Sequence, residues 1–112
     1  MLDFYTRILG LAEERRVDHI GLIQLRAGAS LIDLVPASDP RVESGVNVDH
    51  FCLGLEIADL GDAIRYLRAC AVEVAGEPAM RYGAHGMGLS IYLRDPEGNV
   101  VELKQMPPAG SA

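Results

Sequence analysis

The chain has 112 residues, a formal net charge of −6 and 49% hydrophobic residues, enough for a single domain with a real core. The acidic balance without a basic stripe excludes nucleic acid as the main partner, and no apolar run reaches the roughly 20 residues of a membrane span. Two cysteines, Cys52 and Cys70, are too few for a disulfide framework. Each falls in a periodic apolar stretch, so both read as reduced and buried, in a cytoplasmic protein; the opening Met1-Leu2-Asp3-Phe4-Tyr5 also lacks the layout of a signal peptide.

In chain order, Leu2 to Leu9 carries Phe4, Ile8 and Leu9 at helical spacing, with Asp3 as the expected N-cap and Gly10 as the stop. Leu11 to Val17 reads as an exposed strand. Ile20 to Leu25, interrupted by Gln24, and Ser30 to Val35, interrupted by Asp33, read as two more. Residues 37–47, rich in Pro, Ser, Asp and Gly, form a linker. They divide one domain, 1–112, into modules of about 1–36 and 48–106.

In the second module, Asp49 to Ile57 alternates, with His50, Cys52, Gly54 and Glu56 opposite Phe51, Leu53, Leu55 and Ile57. Asp59 caps a helix striped by Leu60, Ala63, Ile64 and Leu67. Val72 to Ala75 reads as a short strand, and Glu77 to Gly88 as a loop with strand pairing near Met80. Leu89 to Arg94 alternates, with Ser90, Tyr92 and Arg94 on one side. Asp95-Pro96-Glu97-Gly98 is a turn, and Val100 to Met106 is the last strand, with Glu102 beside Val100 and Lys104 on one face. Residues 107–112 read as a loose tail. The second half therefore runs strand, helix, strand, strand, strand; the first runs helix, strand, strand, strand, without the opening strand.

Phe4-Tyr5 with Ile8-Leu9-Gly10-Leu11, then Asp49-His50, then Ser90-Ile91-Tyr92 with Asp95-Pro96-Glu97-Gly98-Asn99 and Val101-Glu102-Leu103 resemble the vicinal oxygen chelate superfamily of glyoxalase I, extradiol dioxygenases, and fosfomycin- and bleomycin-resistance proteins. The resemblance covers nearly the whole chain and implies an α+β fold: paired βαβββ modules forming an open cup-shaped sheet, here with the first strand of the first module missing. It also implies a divalent metal in the cup. Carried over, the ligands are His50 from the first strand of the second module and Glu102 from its last, with Asp33 where several members carry glutamate. No residue here corresponds to the histidine that the missing strand normally brings.

Metal chemistry needs a neutral imidazole and a carboxylate converging from different strands, with a coordination position left for substrate. His50 and Glu102, both opposite the apolar faces of their strands, satisfy that pattern; otherwise they are a capping histidine and a solvated glutamate. Asp33 is a ligand or a polar lining residue. His19, in an Asp-His echo of Asp49-His50, is followed by strands rather than by strand and helix, so module order argues against it. His85 lies in Gly83-Ala84-His85-Gly86-Met87-Gly88; a phosphate loop would need a helix next, so this reads as a rim loop whose histidine is exposed or touches substrate. Gln24 is a second substrate candidate. Tyr92 is a candidate hydrogen-bond donor to substrate or acid. Arg94 and Cys52 read as lining residues; a nucleophilic Cys52 would need a base and a lowered pKa.

The resulting expectation is a divalent-metal-dependent enzyme (Fe, Mn, Ni or Zn) acting on a small substrate with vicinal oxygens by lyase, isomerase or dioxygenase chemistry. The alternative is a non-catalytic binding protein of the bleomycin-sequestering type. A third reading is an inactive member surviving as a dimer. The resemblance implies a homodimer in either of the first two cases, with the cup built within one chain or across two.

Overall fold

A computed structural model describes residues 1–36 and 48–106; the expected linker and tail lie outside them. The chain forms two compact units, Met1–Asn47 and Val48–Ala112.

The first unit begins with a short helix, Phe4–Ile8. Its bonds widen to a π-turn, with Leu9 N donating to Phe4 O at 3.0 Å. Asp3 is not its cap: it has helical backbone angles and no capping bond, and its carboxylate instead holds Arg7 Nε at 2.9 Å, one turn on. Phe4 and Tyr5 are buried and meet edge to face at 5.0 Å. Gly10, at φ +77°, turns the chain into β1 (Ala12–Val17). A 3-10 turn, Asp18–Ile20, leads to β2 (Leu22–Ala27) and β3 (Ser30–Leu34), and the three strands form an antiparallel sheet in sequence order. A bulge separates Glu13 from Arg15 in β1. Leu25, opposite Ile32, is fully buried on the apolar face. Gln24 and Asp33 pair on the other face.

The second unit runs β4 (His50–Glu56), α1 (Leu60–Ala69), β5 (Val74–Gly83), β6 (Gly86–Arg94) and β7 (Val100–Met106). The sheet order is β4-β7-β6-β5, with β4 and β7 parallel and the other pairs antiparallel. Asp59 caps α1, accepting from Gly61 N at 2.9 Å. The stripe Leu60, Ala63, Leu67 is buried, as are Ile91, Leu93, Val101 and Leu103 on the apolar face of β6 and β7. The helix ends where Val72 N returns to Leu67 O at 3.0 Å with Ala71 left-handed at φ +61°.

The segment expected as a loop is mostly strand. β5 continues to Gly83 and is joined to β6 by the two residues Ala84 and His85. Gly76, Pro78 and Gly83 conceal this in the sequence. The register shifts between Ala75 and Ala79, around Pro78, on a strand that is the outer one of its sheet, where a missing N–H is tolerated. The β6–β7 turn is organised by buried Asp95. Its Oδ1 accepts from Glu97 N at 3.0 Å and Asn99 N at 2.8 Å, and its Oδ2 from Asn99 Nδ2 at 2.8 Å. That turn fixes the register in which Tyr92 faces Glu102.

Candidate functional site

The polar face of the second sheet collects the titratable side chains. Cys52, Glu102 and Tyr92 form one row across β4, β7 and β6, and Gly54, Lys104 and Ser90 form the next. Period-two alternation puts all of them opposite the leucine-rich face. Glu102 retains only 6% of its surface and Lys104 5%, so neither is a solvated edge charge.

His50 begins the outer strand β4 and reaches Glu102 on the neighbouring strand β7. Its Nε2 is 3.0 Å from Glu102 Oε1 and its Nδ1 is 2.6 Å from Asp49 Oδ2. With a carboxylate on each nitrogen, the imidazole holds its proton above the ordinary range; the Asp49 hydrogen bond is the largest cause, partly opposed by desolvation, with Glu102 adding to it. For Glu102, burial pushes the carboxyl up, but the neighbouring Ser90 hydroxyl, His50 and Lys104 outweigh burial and hold it below the usual range. Ser90 Oγ is buried and makes no well-aligned hydrogen bond among the described residues, so its influence on Glu102 is that of a close, imperfectly aligned dipole.

Lys104 Nζ lies 3.8 Å from Glu102 Oε2 and donates to Arg81 O at 2.6 Å and, more weakly, to Gly88 O at 3.4 Å. Its stem crosses Gly83, where a Cβ would collide with it, and lies beside Gly88, where a Cβ would instead strike the Gln105 backbone oxygen. The two glycines are thus the groove that lets a lysine lie flat in the sheet face. Tyr92 stands edge-on to His50, with ring centroids 5.3 Å apart and planes at 86°. Desolvation, then the charge of Glu102, raises its phenol, so it stays protonated and able to donate at neutral pH. The Cys52 thiol is exposed at the surface, yet desolvation by its immediate surroundings and the Glu102 charge raise its pKa. That is the opposite of what a nucleophile needs.

The two donors His50 Nε2 and Glu102 Oε1 suit a divalent ion. Ligands at about 2.1 Å from an ion stand about 3 Å apart in octahedral and about 3.4 Å apart in tetrahedral coordination, so the observed 3.0 Å is compatible with an octahedral ion. Asp49 behind His50, and Lys104 with Ser90 behind Glu102, are the supports that metal-ligating imidazoles and carboxylates use. Among the described residues, no three His, Cys, Asp or Glu side chains are placed to hold a metal ion together.

The remaining expected residues lie on other elements. Asp33 and Gln24 belong to the first unit, where Gln24 Nε2 donates to Asp33 Oδ1 at 3.1 Å. His85 is exposed in the two-residue β5–β6 turn, and His19 is exposed on the 3-10 turn. Arg94 is engaged at the β6–β7 turn, donating to Gly98 O at 3.1 Å. Four participants had not been singled out from sequence: Asp49, Ser90, Lys104 and Arg81. Asp49 is legible as the residue before the histidine, and Ser90 and Lys104 as members of the same alternating faces. Arg81 lay in the segment read as a loop.

Comparison with known proteins agrees with this architecture. Residues 1–103 match the model of the Glyoxalase/Bleomycin resistance protein/Dioxygenase superfamily. A 44-residue stretch is 43% identical to the glyoxalase domain-containing protein RDO1 of Mycosarcoma maydis, covering 39% of this chain and 25% of that protein. A 46-residue stretch is 35% identical to virulence protein STM3117 of Salmonella typhimurium, covering 41% and 32%. The matched stretches thus span about a quarter and a third of these curated relatives. The crystal structure of STM3117 aligns with a TM-score of 0.69 at 25% identity over 92% of this chain and 82% of that one. A protein from the mobile metagenome of V. pseudocholerae aligns with a TM-score of 0.72 at 30% identity, over 92% and 81%.

Proposed function

Since the chain belongs to the Glyoxalase/Bleomycin resistance protein/Dioxygenase superfamily, we propose that it is a divalent-metal-dependent enzyme acting on a small substrate with vicinal oxygens. The observation that carries this reading is the pair His50 Nε2 and Glu102 Oε1, 3.0 Å apart, with Asp49 Oδ2 on the far nitrogen of His50. His50 and Glu102 would hold the ion, and Asp33 is the third donor that the family pattern supplies. When bound, a first-row ion such as Fe, Mn, Ni or Zn acts as a Lewis acid toward the two substrate oxygens, the common requirement of lyase, isomerase and dioxygenase chemistry.

The protein's own groups supply the rest. Asp49 accepts the Nδ1 proton and so fixes the tautomer that leaves Nε2 as a donor atom. Glu102 stays a carboxylate and serves as a proton acceptor. The Tyr92 phenol, still protonated, donates to a developing oxyanion. Gln24 and His85 are candidate substrate contacts. The chain works as a homodimer in the cytoplasm. In the second sheet β4 and β5 are edge strands among the described residues, which suits them to pairing, and light scattering that returned only monomer would count against assembly. Among the described residues no helix is long and apolar enough to cross a membrane.

A second reading, a sequestering protein of the bleomycin-resistance type, draws support from the absence of a three-donor cluster among the described residues. Metal analysis after exposure to Fe(II), Mn(II), Ni(II) and Zn(II) separates the two. The enzyme reading expects one ion per chain, lost in His50→Ala and in Glu102→Ala and weakened in Asp33→Ala. An intact chain that binds none of the four ions overturns it and leaves the sequestering reading.

A further inference from the structure

We propose that Arg81 is the anchor for a carboxylate on the substrate, so that this chain selects acids bearing vicinal oxygens over their neutral counterparts. The inference rests on the metal-dependent reading above and deepens it.

Arg81 lies on β5 opposite Gly88, on the same sheet face as Ser90, Tyr92, Glu102 and Lys104. Its guanidinium carbon stands 5.3 Å from the centroid of the Tyr92 ring, a stacking distance that holds a guanidinium in place without consuming its N–H donors. The residue is exposed. Among the described residues no carboxylate lies within ion-pair distance of it, as is also true of Arg15 and Arg68, whereas Arg7, Arg16, Arg26, Arg65 and Arg94 each face an acid. What sets Arg81 apart is its place: its guanidinium stands over the ring of Tyr92, beside the candidate site.

The geometry also fixes the span. Tyr92 touches Arg81 on its face and His50 on its edge, the latter at 5.3 Å. One aromatic ring therefore separates the guanidinium from the His50–Glu102 pair, so a ligand whose two oxygens meet an ion held by that pair would have its far end near Arg81 when it is about one ring long. Lys104 does not compete for the anion, because its ammonium is committed to Arg81 O, Gly88 O and Glu102. A single fork of two parallel N–H donors with one positive charge matches a planar carboxylate.

The test compares catechol with 3,4-dihydroxybenzoate, which adds a carboxylate across the ring from the two oxygens, by calorimetric titration into Mn(II)-loaded protein. The expected result is that the acid binds at least about tenfold more tightly, the size of one charge-assisted hydrogen-bond pair. In Arg81→Met that preference falls to about one, and in Arg81→Lys, which keeps the charge and loses the fork, it takes an intermediate value. Equal binding of the two ligands to the intact chain, or a preference that survives in Arg81→Met, overturns the inference and leaves the metal-dependent reading standing. Failure of both ligands to bind while metal is held overturns the vicinal-oxygen reading itself, and this inference with it. Should Arg81→Met aggregate, Arg81→Gln reads the same ratio.

Discussion

Lys104 Nζ stands 3.8 Å from Glu102 Oε2, and the two side chains keep only 7% and 8% of their surface exposed. They are two residues apart on the same strand face, so one stretch of β7 carries a buried acid and its counter-charge. Truncating one partner leaves the other covered and less well compensated. Lys104→Met is expected to lower stability by roughly 1–3 kcal/mol. Urea unfolding of Lys104→Met, Glu102→Gln and the double variant checks this: the double variant should lose less than the two singles together. Strict additivity would show that the pair is not coupled.

The pH dependence follows from Glu102. Its folded pKa is depressed below 4.5, so the unfolded chain takes up the proton first as the solution is acidified. The carboxylate's contribution is therefore fully present above about pH 4.5 and is lost as the pH falls through the lower folded value. Between neutrality and pH 4.5 this group adds no slope. Below that, the intact chain should lose stability more steeply than Glu102→Gln, as read from urea midpoints at successive pH values. Parallel curves would refute the assignment.

The two glycines under Lys104 should respond differently to alanine. At Gly88 a Cβ would lie 2.9 Å from the backbone oxygen of Gln105, as well as close to the Lys104 stem. At Gly83 it would meet only the far end of the Lys104 side chain, which can swing aside. Gly88→Ala is expected to cost roughly 1–3 kcal/mol through strain between neighbouring strands. Gly83→Ala should cost less in thermal unfolding while loosening Lys104 from Arg81 O. Equal losses at the two sites would mean that the lysine stem is as immovable as the backbone.

Ala71 holds a left-handed conformation, φ +61°, at the end of α1. An alanine there costs on the order of 1 kcal/mol relative to a residue without Cβ. Ala71→Gly should raise the stability of the chain by up to that amount, seen as a higher urea midpoint with an unchanged slope. A lower midpoint would mean that the methyl group packs usefully enough to offset the strain.

Much of this was legible from local pattern. Alternation along Phe51 to Ile57, Leu89 to Arg94 and Val100 to Met106 separated the faces, and so put His50 and Glu102 on the side that the structure brings together. The cap at Asp59 and the turn at Asp95 also followed from residue chemistry. What failed were places where tertiary context overrides local signals. Pro78, with glycines on both sides, reads as a loop, yet an outer strand with a register shift absorbs it. Because β5 was hidden, Arg81 had no face and could not be joined to Tyr92. Lys104 was assigned to the correct face, but nothing local distinguishes a buried lysine from a solvated one. Its burial depends on two glycines, at Gly83 and Gly88, in the strands beyond β7. Asp3 offered a cap and an i,i+4 partner at once, and the ion pair with Arg7 won.

The order β4-β7-β6-β5 places the C-terminal strand of the second unit in the interior of its sheet. While the chain is being made, α1 and the β5–β6 hairpin can form from contacts close in sequence, but β4 lacks its partner among the described residues until residues 100–106 arrive. His50 and Glu102 therefore come into register only in the final step, and the non-local β4–β7 pairing is the slow part of folding.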